Sequence, residues 1–158
     1  MRGKSKQGQS WLGGVLGSLV LVALAGCGGG NAVATRTIPI HQNWALQPGS
    51  EIAGYRVIGS LGDVSIELDG YPVRAPFDGR VEPLDGGGGC VVFSTPEVPA
   101  YLFRLCGLAN PALGDLRRGD KIGKGQSLQF AAMRKQPDGT WAIVEPALDI
   151  LERTVKQP

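Results

Sequence analysis

Histidine is almost missing from this sequence: His41 is the only one in 158 residues. A zinc hydrolase that needs two imidazoles cannot be assembled from it. A Ser-His-Asp or Cys-His relay would have to run through His41 alone, and the chain offers no nucleophile elbow. Aromatic residues are also few, at 6%. Charge of one sign is not in excess either. The formal net charge is +2, but all 14 acidic residues follow Cys27, whereas Arg2, Lys4 and Lys6 precede it. From Cys27 onward the chain therefore holds 13 basic and 14 acidic residues, a net of −1. Nucleic-acid binding calls for a clustered basic face and a high domain pI. Here Arg117, Arg118, Lys121 and Lys124 are interleaved with Asp115 and Asp120, a stretch that reads as a solvated loop, and no nucleic-acid partner is expected.

What is present starts at the N-terminus. Arg2, Lys4 and Lys6 lead into an apolar run over 11–25, which closes on Leu24-Ala25-Gly26-Cys27. A basic start, an apolar centre and small residues at the end are the order of a cleaved export signal. The final cysteine makes it the lipoprotein type, with a diacylglyceryl group on the Cys27 sulfur and cleavage after Gly26. An apolar run of about 15 residues, diluted by Gly13, Gly14 and Gly17, falls short of the roughly 20 that span a hydrocarbon core. Two or more acyl chains give stable attachment where one gives marginal binding. The expected organisation is a signal peptide over 1–26, a lipidated N-terminus and tether over 27–50, and one domain over 51–158. The expected address is extracytoplasmic, on a bacterial membrane through the lipid anchor. Gly28-Gly29-Gly30 starts the tether flexibly, while Ile38-Pro39-Ile40 and Trp44-Ala45-Leu46 carry apolar residues expected to pack on the domain edge.

With Cys27 assigned to lipid, Cys90 and Cys106 remain as an even pair in an exported chain. Between them lie Val91-Val92-Phe93, the turn-rich segment 94–99, and Tyr101-Leu102-Phe103-Arg104-Leu105, which reads as a hairpin. A hairpin centred on Val98 sets Phe93 opposite Phe103, Val91 opposite Leu105 and Cys90 opposite Cys106. A disulfide is predicted there.

Glycine and proline are plentiful, at 25 and 11 residues, and they punctuate short strands, so the domain reads as all-β. Strands are expected at 55–58, 64–68, 71–75 and 79–84, with Asp69-Gly70 turning one hairpin. The four glycines 86–89 precede a strand and do not feed a helix, so they read as a hairpin turn and not as a phosphate cradle. Strands at 128–134 and 141–144 flank Gln136-Pro137-Asp138-Gly139. The helical candidate is 146–155, with Pro146 in its first turn and Leu148, Ile150, Leu151 and Val155 as its apolar positions, capping one barrel end. Glu67 and Asp69 would share a strand face but read as a solvated hairpin end. Lys135, after Met133-Arg134, sits near a hairpin as a carrier-domain lysine does, but it precedes a Gln136-Pro137 turn.

The order of these strands resembles the LytM or lysostaphin-type metallopeptidase domain, over roughly residues 50–155. The resemblance rests on Pro72-Val73-Arg74-Ala75-Pro76-Phe77-Asp78-Gly79-Arg80-Val81, on the strand 101–106, and on Gly114-Asp115-Leu116-Arg117-Arg118-Gly119-Asp120-Lys121-Ile122-Gly123. It continues through Ser127-Leu128-Gln129-Phe130-Ala131-Ala132-Met133-Arg134, Asp138-Gly139 and Glu145-Pro146. The same glycine framework occurs in lipoyl and biotinyl carrier domains, so the expected shape is a small barrel-sandwich with a short C-terminal helix. The family holds zinc with two His and one Asp. At the position of its final ligand this chain has Gln129, and near its Tyr-x-His-Leu motif stand Phe103, Arg104 and Leu105. Asp63 falls near the expected carboxylate but reads as a turn residue. The resemblance therefore implies a degenerate domain with no catalytic residues, no metal and no cofactor. Inactive relatives commonly regulate cell-wall amidases, which implies a binding or regulatory module of the envelope whose partner is an envelope protein or peptidoglycan. The alternative is a structural accessory of a membrane complex, and a zinc peptidoglycan endopeptidase ranks third. Tyr71, Phe77, Tyr101, Phe103, Gln129 and Trp141 are the candidate binding surface, with core packing the competing reading for the aromatic ones.

Overall fold

Period-two alternation of apolar residues builds most of the strands, because successive side chains on a strand point to opposite faces. The computed structural model describes residues 36–38, 42–85 and 89–157. The chain divides into two units, Met1–Pro39 and Ile40–Pro158. Cys27, the expected signal and half of the expected tether lie outside the described residues, as does His41.

Eleven strands and one helix occur among the described residues, in the order β1 (Glu51–Ile52), β2 (Tyr55–Ser60), β3 (Val64–Glu67), β4 (Pro72–Arg74), β5 (Gly79–Pro83), β6 (Val91–Ser94), β7 (Tyr101–Cys106), β8 (Gly114–Leu116), β9 (Lys121–Lys124), β10 (Ser127–Lys135), β11 (Trp141–Val144) and α1 (Leu148–Val155). The fold is all-β with one short C-terminal helix. The larger sheet runs β1-β2-β3-β10-β7-β6-β5-β8, with β11 also on β10, and β4 and β9 make a second, two-stranded sheet. Every pairing is antiparallel.

One buried cluster joins the two sheets and the helix. The larger sheet contributes Val57, Ile66, Leu128, Phe130, Phe103 and Phe93, the smaller one Val73 and Ile122, and α1 Leu151 and Val155. Phe103 lies between two other rings, 6.4 Å from Phe93 and 5.5 Å from Phe130 by centroid. Trp44 and Leu46 pack against this cluster, and Ser60 Oγ donates to Leu46 O at 2.6 Å, so 44–46 forms part of the domain edge. Ile38 is exposed, and Pro39 and Ile40 lie outside the described residues.

Three expectations are corrected. Asp69-Gly70 does make a tight turn, with both residues at positive φ and Tyr71 N donating to Leu68 O at 2.9 Å, but β3 and β4 do not pair. Both edges of β3 are already taken, by β2 and β10, so the chain leaving the turn crosses to β9. The connection from β9 to β10 turns the same corner, and the two corners are joined: Leu68 N donates to Gln126 O at 2.8 Å and Gly70 N to Gly125 O at 3.0 Å. Second, the expected solvated loop over 115–124 contains β8 and β9; its charges stay exposed while Ile122 is buried. Third, the helix starts at Leu148, which is exposed, and it packs on β4 and β1 through Leu151 and Val155. The glycine run connects the antiparallel neighbours β5 and β6, and its residues 86–88 lie outside the described ones.

Candidate binding face

Directly opposite residues in antiparallel strands share a face, so the register gives the outer face of the larger sheet row by row. One row runs Ser65, Gln129, Cys106 across β3, β10 and β7. The next runs Ala131, Arg104, Val92, Glu82 across β10, β7, β6 and β5. A third runs Ile143, Met133, Leu102, Ser94, Arg80, Asp115, from β11 to β8. The opposite face carries the phenylalanine core.

Around the first two rows the chemistry is closed. Cys90 and Cys106 form a disulfide, and β6 and β7 pair in the expected register, with Phe93 opposite Phe103 and Val91 opposite Leu105. Arg104 Nη2 lies 3.5 Å from Asp63 Oδ2, and Ser65 Oγ donates to Asp63 Oδ1 at 3.2 Å. Asp63 is thus more than a turn residue, since it neutralises a cation in the middle of the sheet. Replacing Cys90 and Cys106 by serine together is expected to lower stability by about 3 kcal/mol for a closed loop of this length. The readout is a lower urea midpoint with a slope that is unchanged or steeper, since the unbridged chain unfolds to a more expanded state; an unchanged midpoint would mean the two sulfurs are not joined in solution.

The third row runs into a groove of about 670 Å³. Its charged side carries Arg80, Asp115, Arg117 and Asp120, and Pro96, Pro99, Tyr101 and Leu102 supply apolar surface. Arg80 Nη1 donates to Asp115 Oδ1 at 2.9 Å and Arg80 Nε lies 3.6 Å from Glu82 Oε1; the hydrogen bond and charge of Asp115 hold the guanidinium pKa above its ordinary value. Arg117 N donates to Asp120 Oδ2 at 2.8 Å, which shapes the turn after β8. A pair of opposite charges beside proline and tyrosine suits an extended polar chain more than a small apolar ligand.

The six residues expected to form a binding surface divide. Phe103 and Phe77 are buried, at 1% and 6% exposure, so both are core residues and not surface ones: the β7 register turns Phe103 inward, and Phe77 lies under the Arg153 guanidinium. Gln129 and Trp141 are exposed on the outer face. Tyr101 lines the groove from the first residue of β7. Tyr71 is exposed elsewhere, edge-on to Tyr55 at 6.0 Å. Arg80 and Asp115 were missed because reading 115–120 as a loop hid their cross-strand pairing.

Among the described residues, no three His, Cys, Asp or Glu side chains cluster closely enough to hold a metal ion. No protein-family model matches the chain, and no curated protein matches it either. Among the solved structures similar to it are the catalytic domain of the antimicrobial peptidase lysostaphin from Staphylococcus simulans, at 18% identity and a TM-score of 0.44 over 66% of this chain and 86% of that one, and LytU, at 18% identity and a TM-score of 0.44 over 72% of this chain and 88% of that one.

Proposed function

We propose that this chain is a lipid-anchored protein of the bacterial envelope whose LytM-like β domain binds a partner and does not hydrolyse peptidoglycan. The supporting observation is the Asp63–Arg104 ion pair beside Gln129. In the resemblance drawn from the sequence, Gln129 takes the place of the final zinc ligand, Asp63 falls near the ligand carboxylate and Arg104 stands near the Tyr-x-His-Leu histidine. Zinc needs electron-donating imidazole, thiolate or carboxylate ligands. A neutral amide, a carboxylate already held by a guanidinium and a sulfur tied up in a disulfide supply none free. The outer face and its groove then serve as a docking surface for an envelope protein or a peptidoglycan strand, held at the membrane through Cys27.

Two measurements test this reading. Purified full-length protein incubated with zinc and sacculi is expected to release no muropeptides and to sediment with peptidoglycan above a control lipoprotein. Stoichiometric zinc together with muropeptide release would overturn the non-catalytic reading, and background sedimentation would remove peptidoglycan as the partner. Cys27→Ser is expected to abolish palmitate labelling and to move the protein out of the membrane fraction; unchanged labelling sinks the anchor.

A further inference from the structure

Four cations from three separate stretches of sequence line one pocket of about 390 Å³: Arg74 on β4, Arg118 in the β8–β9 turn, and Arg153 and Lys156 at the end of α1. Among the described residues no carboxylate lines it. We propose that this pocket is a binding site for a phosphate group, carried by free phosphate or by an anionic lipid headgroup.

The convergence does not follow from general basicity, because the chain from Cys27 onward has a net charge of −1. Gathering like charges in one concavity raises the local potential, and an anion seated between them relieves it. Two of the four heads are already held in place. Arg74 Nη1 donates to Gly119 O at 2.9 Å, and the Arg153 guanidinium lies 5.3 Å from the Phe77 ring centroid while pairing with Asp149 at 3.1 Å. Holding the donors in advance lowers the ordering cost of binding. Arg74 Nε is buried and has no hydrogen-bond partner among the described residues, so a donor remains unused beside the pocket. Arg118 and Lys156 are exposed and make no ion pair among the described residues.

The neighbouring acids offset only part of this charge: Asp149 pairs with Arg153 at 3.1 Å, and Asp78 Oδ1 accepts from the backbone Arg118 N at 2.7 Å, so no ion pair engages Arg74, Arg118 or Lys156 among the described residues. Gln157 Nε2 donates to Pro72 O at 3.1 Å and fastens the chain after the helix to β4 beside the pocket. Arginine forks match phosphate oxygens in paired hydrogen bonds, and three forks with one ammonium supply more donors than a carboxylate can accept.

The test uses the full chain in nonionic detergent and follows the arginine Nε–Hε resonances by NMR. In one arm sodium phosphate is titrated against sodium chloride at equal ionic strength. In the other, the micelles are doped with phosphatidylglycerol or with phosphatidylcholine. Saturable shifts of the Arg74 and Arg153 signals are expected, weakened about tenfold in the exposed double variant R118Q/K156Q, whose amide spectrum should stay folded. R74Q serves as an independent second variant with the same expected direction. Stronger response to phosphatidylglycerol than to phosphate assigns the lipid headgroup, and response to phosphate alone assigns the free anion. No saturable shift in either arm, or equal affinity in wild type and R118Q/K156Q, overturns the site.

Discussion

Phe103→Ala is expected to cost about 4 kcal/mol of folding free energy, the largest loss among single side-chain truncations in this domain. Phe103 is 1% exposed and touches the rings of Phe93 and Phe130 on either side in the sheet, so truncation removes contacts on two fronts. The neighbouring strands are tied by ladder hydrogen bonds and cannot close the gap. Stability of a domain this size is roughly 5–15 kcal/mol in total, so the variant should be marginal. Urea unfolding followed by tryptophan fluorescence reads the loss directly. Trp141→Ala, at an exposed position, should cost under about 1 kcal/mol. A Phe103→Ala loss no greater than that of Trp141→Ala would contradict the burial of the ring.

Gly125→Ala is expected to destabilise by about 3 kcal/mol or more through overpacking. A Cβ at Gly125 would stand 2.1 Å from Gly107 O, and one at Gly107 would stand 2.5 Å from Ser127 O. Both obstacles are backbone, so nothing can rotate aside. Gly107 also has a φ of +86°, which an L side chain rarely adopts. These two glycines let the chain after β7 cross the β9–β10 corner at contact distance. Gly139→Ala provides the comparison: it has positive φ but open space around it, so it should cost only about 1 kcal/mol. Gly125 itself has no positive φ, so a loss there no larger than that at Gly139 would show that the close approach is relieved by small backbone shifts and does not require glycine.

Much of the strand inventory was legible because alternation survives in short segments. Val64, Ile66 and Leu68 alternate with polar partners, and the equal spacing of Val91, Phe93, Phe103 and Leu105 about Val98 gave a register that the fold keeps. The disulfide followed from that register. The partner of β4 was not legible, since a tight turn at Asp69-Gly70 fits a hairpin and a sheet-crossing corner equally well. Local turn chemistry sets the bend, but it does not decide which edge is free to accept the next strand. The charged stretch 115–124 was misread for a related reason: β8 and β9 are short edge strands whose exposed charges mask the buried Ile122.

The sequence by itself determined the ligand inventory: one histidine, one cysteine pair with its register, and a glycine-punctuated β chain. Those are properties of residue type and near spacing, and folding cannot add an imidazole. The tertiary structure alone decided which charges meet. Asp63 finds Arg104 across β3, β10 and β7, Arg80 finds Asp115 across β5 and β8, and Arg74, Arg118, Arg153 and Lys156 come together from positions up to 82 residues apart. Charge pairing depends on distances set by sheet order, and sheet order is settled by which strand edges are already occupied.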